Sequence, residues 1–507
     1  MHKTSSRSCA AALAAGLLGS LSSGRADEGM WLYNAPPRAL LQERYGFAPA
    51  DAWLEHIQMS SVRFNSGGSG SFVSEDGLIL SNHHVGADDL QKLSDAEHNY
   101  LRDGFHARTC AEEKKCLNLE LNVLMSMEDE TARVNAAVPL GADAEEAFAA
   151  RRAVMAEIEK ESLDKTGLRS DVVTLYQGGQ YHLYRYKRYT DVRLVFAPEQ
   201  QIAFFGGDPD NFEYPRFNLD ICLFRAYENG VPAKVPHYLR FSAKGVSANE
   251  LVLVSGHPGS TSRQLTVAEL EYLRDARFPR SLEHLRRLEV LLSSWSQRSA
   301  ENARRAKDRL FGVQNGRKAR GGMLTGLLDP GLMRQKKAAE ELLRQSVAAR
   351  PELQSAQGAW DDIRAAQQAI ARDAAPYDLL EGGQAFDSTL FHIARTLLRG
   401  AEEKTIPSGK RLREFRESNR ESLELELFSE EPLYDDFEAL RLGDSLTWLC
   451  EKLGVTHSLV QQILAGKSPS ARAAELIGGT RLKDVALRKR LYAGSAAEVA
   501  ATGDPMI

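Results

Sequence analysis

Hydrophobic and polar positions change their period along the chain. From about residue 58 to 85, and again from about 171 to 256, short apolar or alternating runs are punctuated by glycine, the pattern of strands. Tyr184, Tyr186, Val192, Leu194 and Phe196 fall on alternate positions of two such runs, and LVLV at 251–254 is short enough for a fully buried strand. Between the two regions, GADAEEAFAARRAVMAEIEKES predicts a helical insert. After about residue 265 the texture becomes charged, rich in alanine and leucine and poor in glycine, and stays so to about 465. Leu282, Leu285, Leu288, Leu292 and Trp295 recur there at three- and four-residue steps, the apolar stripe of an amphipathic helix. The charge runs EEKT and GKRLREFRE read as solvated helix faces. Neither a closing strand nor a final helix cap is evident before GDPMI.

At 507 residues, two or three domains are expected. Lys3 and Arg7 precede the apolar run CAAALAAGLLGSL, and Gly24-Arg25-Ala26 offers a small-residue cleavage site, so residues 1–26 read as a secretory signal. That reading makes the protein exported, either periplasmic or secreted. No later segment approaches the roughly 20 apolar residues of a membrane-spanning helix. Without Lys3, Arg7 and Arg25, the 64 basic residues fall to 61 against 69 acidic ones, a formal charge of −8. Nucleic acid is excluded as an expected partner, because no basic surplus would release its counterions. Four cysteines remain beyond residue 26. Cys110 and Cys116 bracket AEEKK closely enough for a small disulfide loop in an oxidising compartment, whereas zinc would need a second Cys or His pair nearby. No cofactor is expected.

Asp76-Gly77 between SFVS and LILS predicts a hairpin with a type I′ turn, which would set Ser69 opposite His84. Adjacent strand residues point to opposite faces, so His83 and His84 do not serve the same site or chelate one metal together, and only one is the functional candidate. LILSNHHV resembles the strand-to-helix junction of chymotrypsin-like peptidases, whose base is the histidine just before a small apolar or cysteine residue. That selects His84. NSGG at 65–68 looks like a nucleophile loop of such enzymes, but Phe64 stands where a glycine would supply an oxyanion donor. Ser66 and Ser69 therefore read as scaffold, in a glycine-rich strand that lets backbones approach closely. Asp220, where a loop ends and ICLFR begins, suits a carboxylate that orients an imidazole. Asp208 and Asp210 lie in a turn-rich loop, where Asp more often caps and bends the chain than binds calcium, so no metal is expected. His257, before Pro258, reads as structural, and His182 as a satisfied surface or interface residue.

FVSEDGLILSNHHV, GGDPDNFEYPRFNLD and VSGHPGSTSR, with DEGMW at 27–31, together resemble the bacterial dipeptidyl aminopeptidases of serine peptidase family 46. The resemblance runs from residue 27 to the end. It implies an α+β fold in which a chymotrypsin-like β-barrel peptidase domain (27–265) carries a helical cap domain (266–480). Residues 481–507 would begin the return to the peptidase domain, whose second barrel would be incomplete. It implies release of dipeptides from the N-terminus of oligopeptides, with His84 as general base and Asp220 as its orienting carboxylate. Asn211, Phe212 and Asn315 would hold the substrate's N-terminal amine. A homodimer is implied only by the resemblance. Three departures stand out. Phe212 replaces the family's usual tryptophan, Val85 replaces a cysteine and with it a disulfide beside the base, and no glycine-flanked nucleophile serine follows Asp220. The expectation is a truncated serine dipeptidyl aminopeptidase, with a non-catalytic secreted peptide-binding protein as the alternative. A general endopeptidase is disfavoured by the helical domain.

Overall fold

Alternation in the first half of the chain resolves into one antiparallel sheet. The computed structural model describes residues 29–507; the expected signal at 1–26 lies outside the described residues. The strands are β1 (Ser61–Phe64), β2 (Ser69–Phe72), β3 (Leu78–Ser81), β4 (Phe105–His106), β5 (Lys114–Lys115), β6 (Leu121–Asp129), β7 (Arg169–Leu175), β8 (Gln180–Tyr189), β9 (Asp191–Ala197), β10 (Cys222–Glu228) and β11 (Val231–Pro232). Their order is β4-β9-β10-β3-β2-β1-β6-β8-β7, with β5 on β9 and β11 on β10. Phe64, Phe72, Ile79, Leu194 and Phe224 fill the main sheet core together with Leu90 of the helix His83–Leu93. Gly70 earns its place by close approach, because a Cβ there would lie 2.9 Å from the Leu80 carbonyl oxygen. The predicted insert is the helix Ala144–Thr166, started by a capping box of Asp143 and Glu146, and its Val154 and Ile158 pack on Val172 and Leu183.

The second half is helical, as its texture predicts. Phe278–Ser296 buries Leu282, Leu288, Leu292 and Trp295, and Trp295 stacks on Phe437 at 4.6 Å between centroids. A larger core joins Thr389–Glu403, Asp435–Leu453 and Pro469–Gly479 through residues such as Leu397, Leu446 and Ile477.

Several expectations are corrected. Nine-residue β6 was not foreseen, since its inner half is apolar without alternation and includes buried Asn122. LVLV at 251–254 is irregular rather than a buried strand, and Val254 is 98% exposed. A buried strand needs both faces covered and its edges paired; here the following residues are pinned instead by Ser69 Oγ, which accepts from His257 N, and by Tyr33 and Ser61. The turn at Asp76-Gly77 is wider than type I′, because only Gly77 has positive φ (+69°). Ser74 Oγ accepts from the N–H groups of Asp76 and Leu78, and the register pairs Ser71 with Leu80. Ser69 is therefore not opposite His84. Residues 481–507 fold as Val485–Ala493 and Ala496–Ala500 and bury Leu487, Leu491 and Val499 in the helical core. The overlooked cap is the box formed by Ser495 and Glu498.

Cys110 and Cys116 are free thiols, not a disulfide. Their partners lie apart: Cys116 is buried beside Asp89 and Cys222, while Cys110 is exposed and faces Tyr227. The GKRLREFRE run is also not wholly solvated. Arg416 is buried and donates to Glu159 Oε2 at 2.8 Å, and Glu159 Oε1 accepts from Val172 N at 3.0 Å.

A second buried charge lies nearby. The Glu120 side chain has no solvent exposure; one oxygen accepts from Arg169 (2.6 Å) and Asn122 (2.8 Å), the other from Ser422 (2.7 Å). Arg169 also donates to Asn419 and Asp171. Buried charges persist only where they are paired and hydrogen-bonded, so these groups tie the helices to the sheet in one orientation. Arg416→Met should therefore lower stability by about 3–5 kcal/mol by stranding a buried carboxylate. Adding Glu159→Gln should recover much of that loss in denaturant melts.

Candidate active site

The register of β3 against β10 builds the site. Ser81 pairs with Cys222, so the chain leaving β3 and the chain entering β10 run side by side. Asn82 and the histidines thus meet Asp220. The helix His83–Leu93 begins there without a side-chain cap from Asn82 itself, and Asp220 supplies one: Oδ1 accepts from the His84 N–H at 3.0 Å. Asp220 Oδ2 lies 2.7 Å from His84 Nδ1, and Asn82 donates its amide to the Asp220 main-chain oxygen (3.1 Å) and to Oδ2 (3.4 Å).

Burial pushes the Asp220 carboxyl upward, but hydrogen bonds from the His84 ring and backbone, with the charge of the ring, hold it below its ordinary value. The hydrogen bond to Asp220 raises the His84 imidazole above its ordinary value, against the opposing cost of partial burial. An ionised carboxylate only accepts, so Nδ1 carries the proton and Nε2 of the neutral ring keeps its lone pair. Among the described residues the His84 ring bonds only to Asp220, and its side chain is 54% exposed. This arrangement can take a proton at Nε2 and stabilise the imidazolium that results.

The two histidines diverge because they sit on the first turn of a helix, about 100° apart, and not because a strand alternates. His83 is buried, its ring is lowered in pKa by burial, and it bonds to the Pro198 carbonyl. Ser66 is exposed in the turn after β1, and Ser69 is committed to His257 N at 2.7 Å. His257 is pushed down to about 4 by burial and the nearby Arg63 charge, so it is neutral. His182 is buried in β8 with no hydrogen bond to either ring nitrogen, not a satisfied surface residue, because its strand is covered on that face.

The connection from β9 to β10 carries the other expected residues. Asn211 donates its side-chain amide to Asn315 Oδ1 at 3.0 Å, joining this loop to the helix Ala300–Leu328. Phe212 is exposed and takes positive φ (+65°). Asp208 faces Arg317 at 3.5 Å, and Asp210 lends its main-chain oxygen to Arg216. The same long helix reaches His84's helix, since Arg304 donates to the Ser94 carbonyl at 3.2 Å. Residues 304 and 315 lie roughly 16 Å apart along a helix, so one rigid element braces both clusters. Sequence reading missed Asn82, Arg216 and Lys318. The signal available was the spacing Asn315-x-x-Lys318, which puts both on one helix face.

Comparison with known proteins settles the kinship. The family model described as Peptidase S46 matches residues 26–507. The chain belongs to the peptidase S46 family. Dipeptidyl-peptidase 7 of Phocaeicola vulgatus is 34% identical to this S46 chain over 271 residues, covering 49% of it and 38% of the relative. The Asp/Glu-specific dipeptidyl-peptidase of Shewanella putrefaciens is 29% identical over 406 residues, covering 76% and 54%. The crystal structure of Porphyromonas endodontalis DPP11 in complex with the dipeptide Arg-Glu matches with a TM-score of 0.69 at 22% identity, covering 95% of this chain and 72% of that one. The likeness extends to the mixed fold of helices and antiparallel sheet. The S46 chain thus aligns to little more than a third of the first of these relatives.

Two outcomes follow from the electrostatics. In Asp220→Asn the imidazole loses its anionic partner, so the His84 pKa should fall from its raised position when titrated by NMR. Asp89, buried on the same helix, is raised to about 7 mainly by burial. A carboxyl raised in the folded state favours folding while protonated, and that advantage is lost as pH rises from its unfolded value toward about 7. Asp89→Asn should therefore melt higher than the parent at pH 8, with the gap narrowing toward pH 5.

Proposed function

We propose that this S46 chain carries the general base and substrate-amine subsite of a serine-type dipeptidyl aminopeptidase, releasing dipeptides from the N-terminus of oligopeptides. The observation that carries this reading is the Asp220–His84 pair, with a 2.7 Å hydrogen bond at Nδ1 and an open Nε2. His84 takes the proton of an attacking serine hydroxyl, the hydroxyl oxygen bonds to the scissile carbonyl carbon, and the proton passes to the leaving amine. Water then hydrolyses the dipeptidyl ester by the same route. Asp220 orients the ring and answers its positive charge. Asn211, Phe212 and Asn315 form the amine subsite: an amide oxygen accepts from an ammonium group, and the Phe212 ring gives an apolar wall. The sheet is read as a chymotrypsin-like barrel with the helices as its cap, which would restrict the site to the ends of peptides. Among the described residues no hydroxyl bonds to His84, and Ser66 and Ser69 are read as scaffold rather than nucleophile.

That last observation also favours a second reading, a secreted peptide-binding protein that keeps amine recognition without the chemistry. Export in either case rests on the character of residues 1–26. The test is to present the full chain with dipeptidyl chromogenic substrates, free or acetylated at the N-terminus. With Ser66 and Ser69 as scaffold, the first reading expects any turnover to be of the free form only, to be lost in His84→Ala and about 10⁴-fold lower in Asp220→Asn, and to be unchanged in Ser66→Ala and Ser69→Ala. Turnover should fall on the acid side through a pKa above the usual histidine value of 6.5, because the protonated ring cannot act as a base. Binding of free peptides without turnover, unchanged in His84→Ala, is the result the second reading expects; loss of turnover in Ser69→Ala would refute the scaffold assignment.

A further inference from the structure

The loop that carries Asn211 and Phe212 has little apolar anchorage. Phe205, Phe212, Tyr214 and Phe217 are all exposed. Its conformation also includes a non-glycine residue, Phe212, in the left-handed region, which persists only where surrounding contacts impose it. Those contacts are supplied by two cations acting on main-chain carbonyls. Lys318 Nζ donates to the carbonyls of Asp208, Pro209 (2.9 Å) and Asn211 (3.2 Å). An ammonium has three donors, so this one is saturated. Arg216 enters from within the loop and donates to the carbonyls of Asp210 (3.0 Å), Phe205 (2.9 Å) and Gly207 (3.3 Å), with its guanidinium 4.4 Å from the Phe204 ring centroid. It also reaches Asn211 Oδ1 at 3.4 Å.

Lys318 stands one turn beyond Asn315 on the helix Ala300–Leu328. The helix therefore grips Asn211 twice: Asn315 takes its side-chain N–H, and Lys318 takes its main-chain oxygen. The first contact sets the amide so that its NH₂ faces the helix and Oδ1 remains an acceptor. The second sets the height of the backbone beneath it. We propose that Lys318, backed by Arg216, is a positioning residue for the amine subsite, holding Asn211 so that its side-chain oxygen is presented to a peptide's N-terminal ammonium. This rests on the reading of Asn211 and Asn315 as that subsite. Lys318 does not touch the peptide; its positive charge is spent on the three carbonyls and acts through the loop.

The test is binding by the full chain, measured calorimetrically with the dipeptide Gly-Phe and its N-acetyl form, which requires no turnover. The parent should prefer the free amine, and Asn211→Ala should erase that preference. Lys318→Met should weaken Gly-Phe binding about tenfold, leave N-acetyl-Gly-Phe unchanged and keep the melting temperature. Lys318→Arg should recover most of the affinity, and Lys318→Met added to Asn211→Ala should change little further. Equal weakening of both dipeptides, or a full free-amine preference retained in Lys318→Met, would overturn the assignment of Lys318 while leaving the subsite reading intact. Absence of any free-amine preference in the parent would overturn both.

Discussion

The buried charges at the seam between sheet and helices are the constraint on which the rest of the structure depends. Glu120 and Glu159 are sealed from solvent, and each is answered by groups from the other half of the molecule, Ser422 for one and Arg416 for the other. A buried carboxylate with its partner removed is far costlier than an exposed one, so the two halves have one favourable way to meet. Burial pushes the Glu159 carboxyl upward, and the Arg416 guanidinium opposes that. Apolar packing alone is tolerant of small slips; hydrogen-bonded charges are not. The orientation they impose lets the helix Ala300–Leu328 reach Asn211 at one level and Ser94 at another.

Within the sheet half, Asp220 has two duties that reinforce each other. Its carboxylate caps the helix His83–Leu93 and, with its other oxygen, holds the imidazole on that helix. One carboxylate, fixed by the cap bond to the backbone, thereby stands in place for the ring. The helix N-terminus in turn favours the ionised carboxylate, which is the state the imidazole needs. The geometry of the pair is therefore set within the fold itself. The chain that holds this pair belongs to the S46 family, and relatives it matches are named as dipeptidyl-peptidases.

Much of the architecture was legible in the chain. The change from alternating to helical texture near residue 265, the stripe from Leu282 to Trp295, and the insert that became Ala144–Thr166 all follow from local periodicity. The misreadings share a cause. LVLV at 251–254 has the composition of a strand, but strand formation requires a neighbour, which local sequence does not encode. The hairpin at Asp76-Gly77 was misjudged because the Ser74 hydroxyl offered the backbone another closure. Arg416 looked solvated because its partner lies more than 250 residues away in sequence.

The same division holds at the site. Residue character and the junction motif pointed to His84 and Asp220, whereas Asn211, Phe212 and Asn315 were expected only from the family resemblance. Their pairing, His84 with Asp220 and Asn211 with Asn315, was decided only by tertiary structure, through the pairing of Ser81 with Cys222 and the approach of one long helix to the β9–β10 connection. Lys318 and Arg216 were missed for that reason: the spacing Asn315-x-x-Lys318 puts two residues on one helix face, but both cations bind main-chain oxygens, which every residue has, so only the folded path of the loop reveals which oxygens they meet. Hydrogen bonds to side chains can be anticipated from residue identity, but hydrogen bonds to backbone depend on where the chain goes.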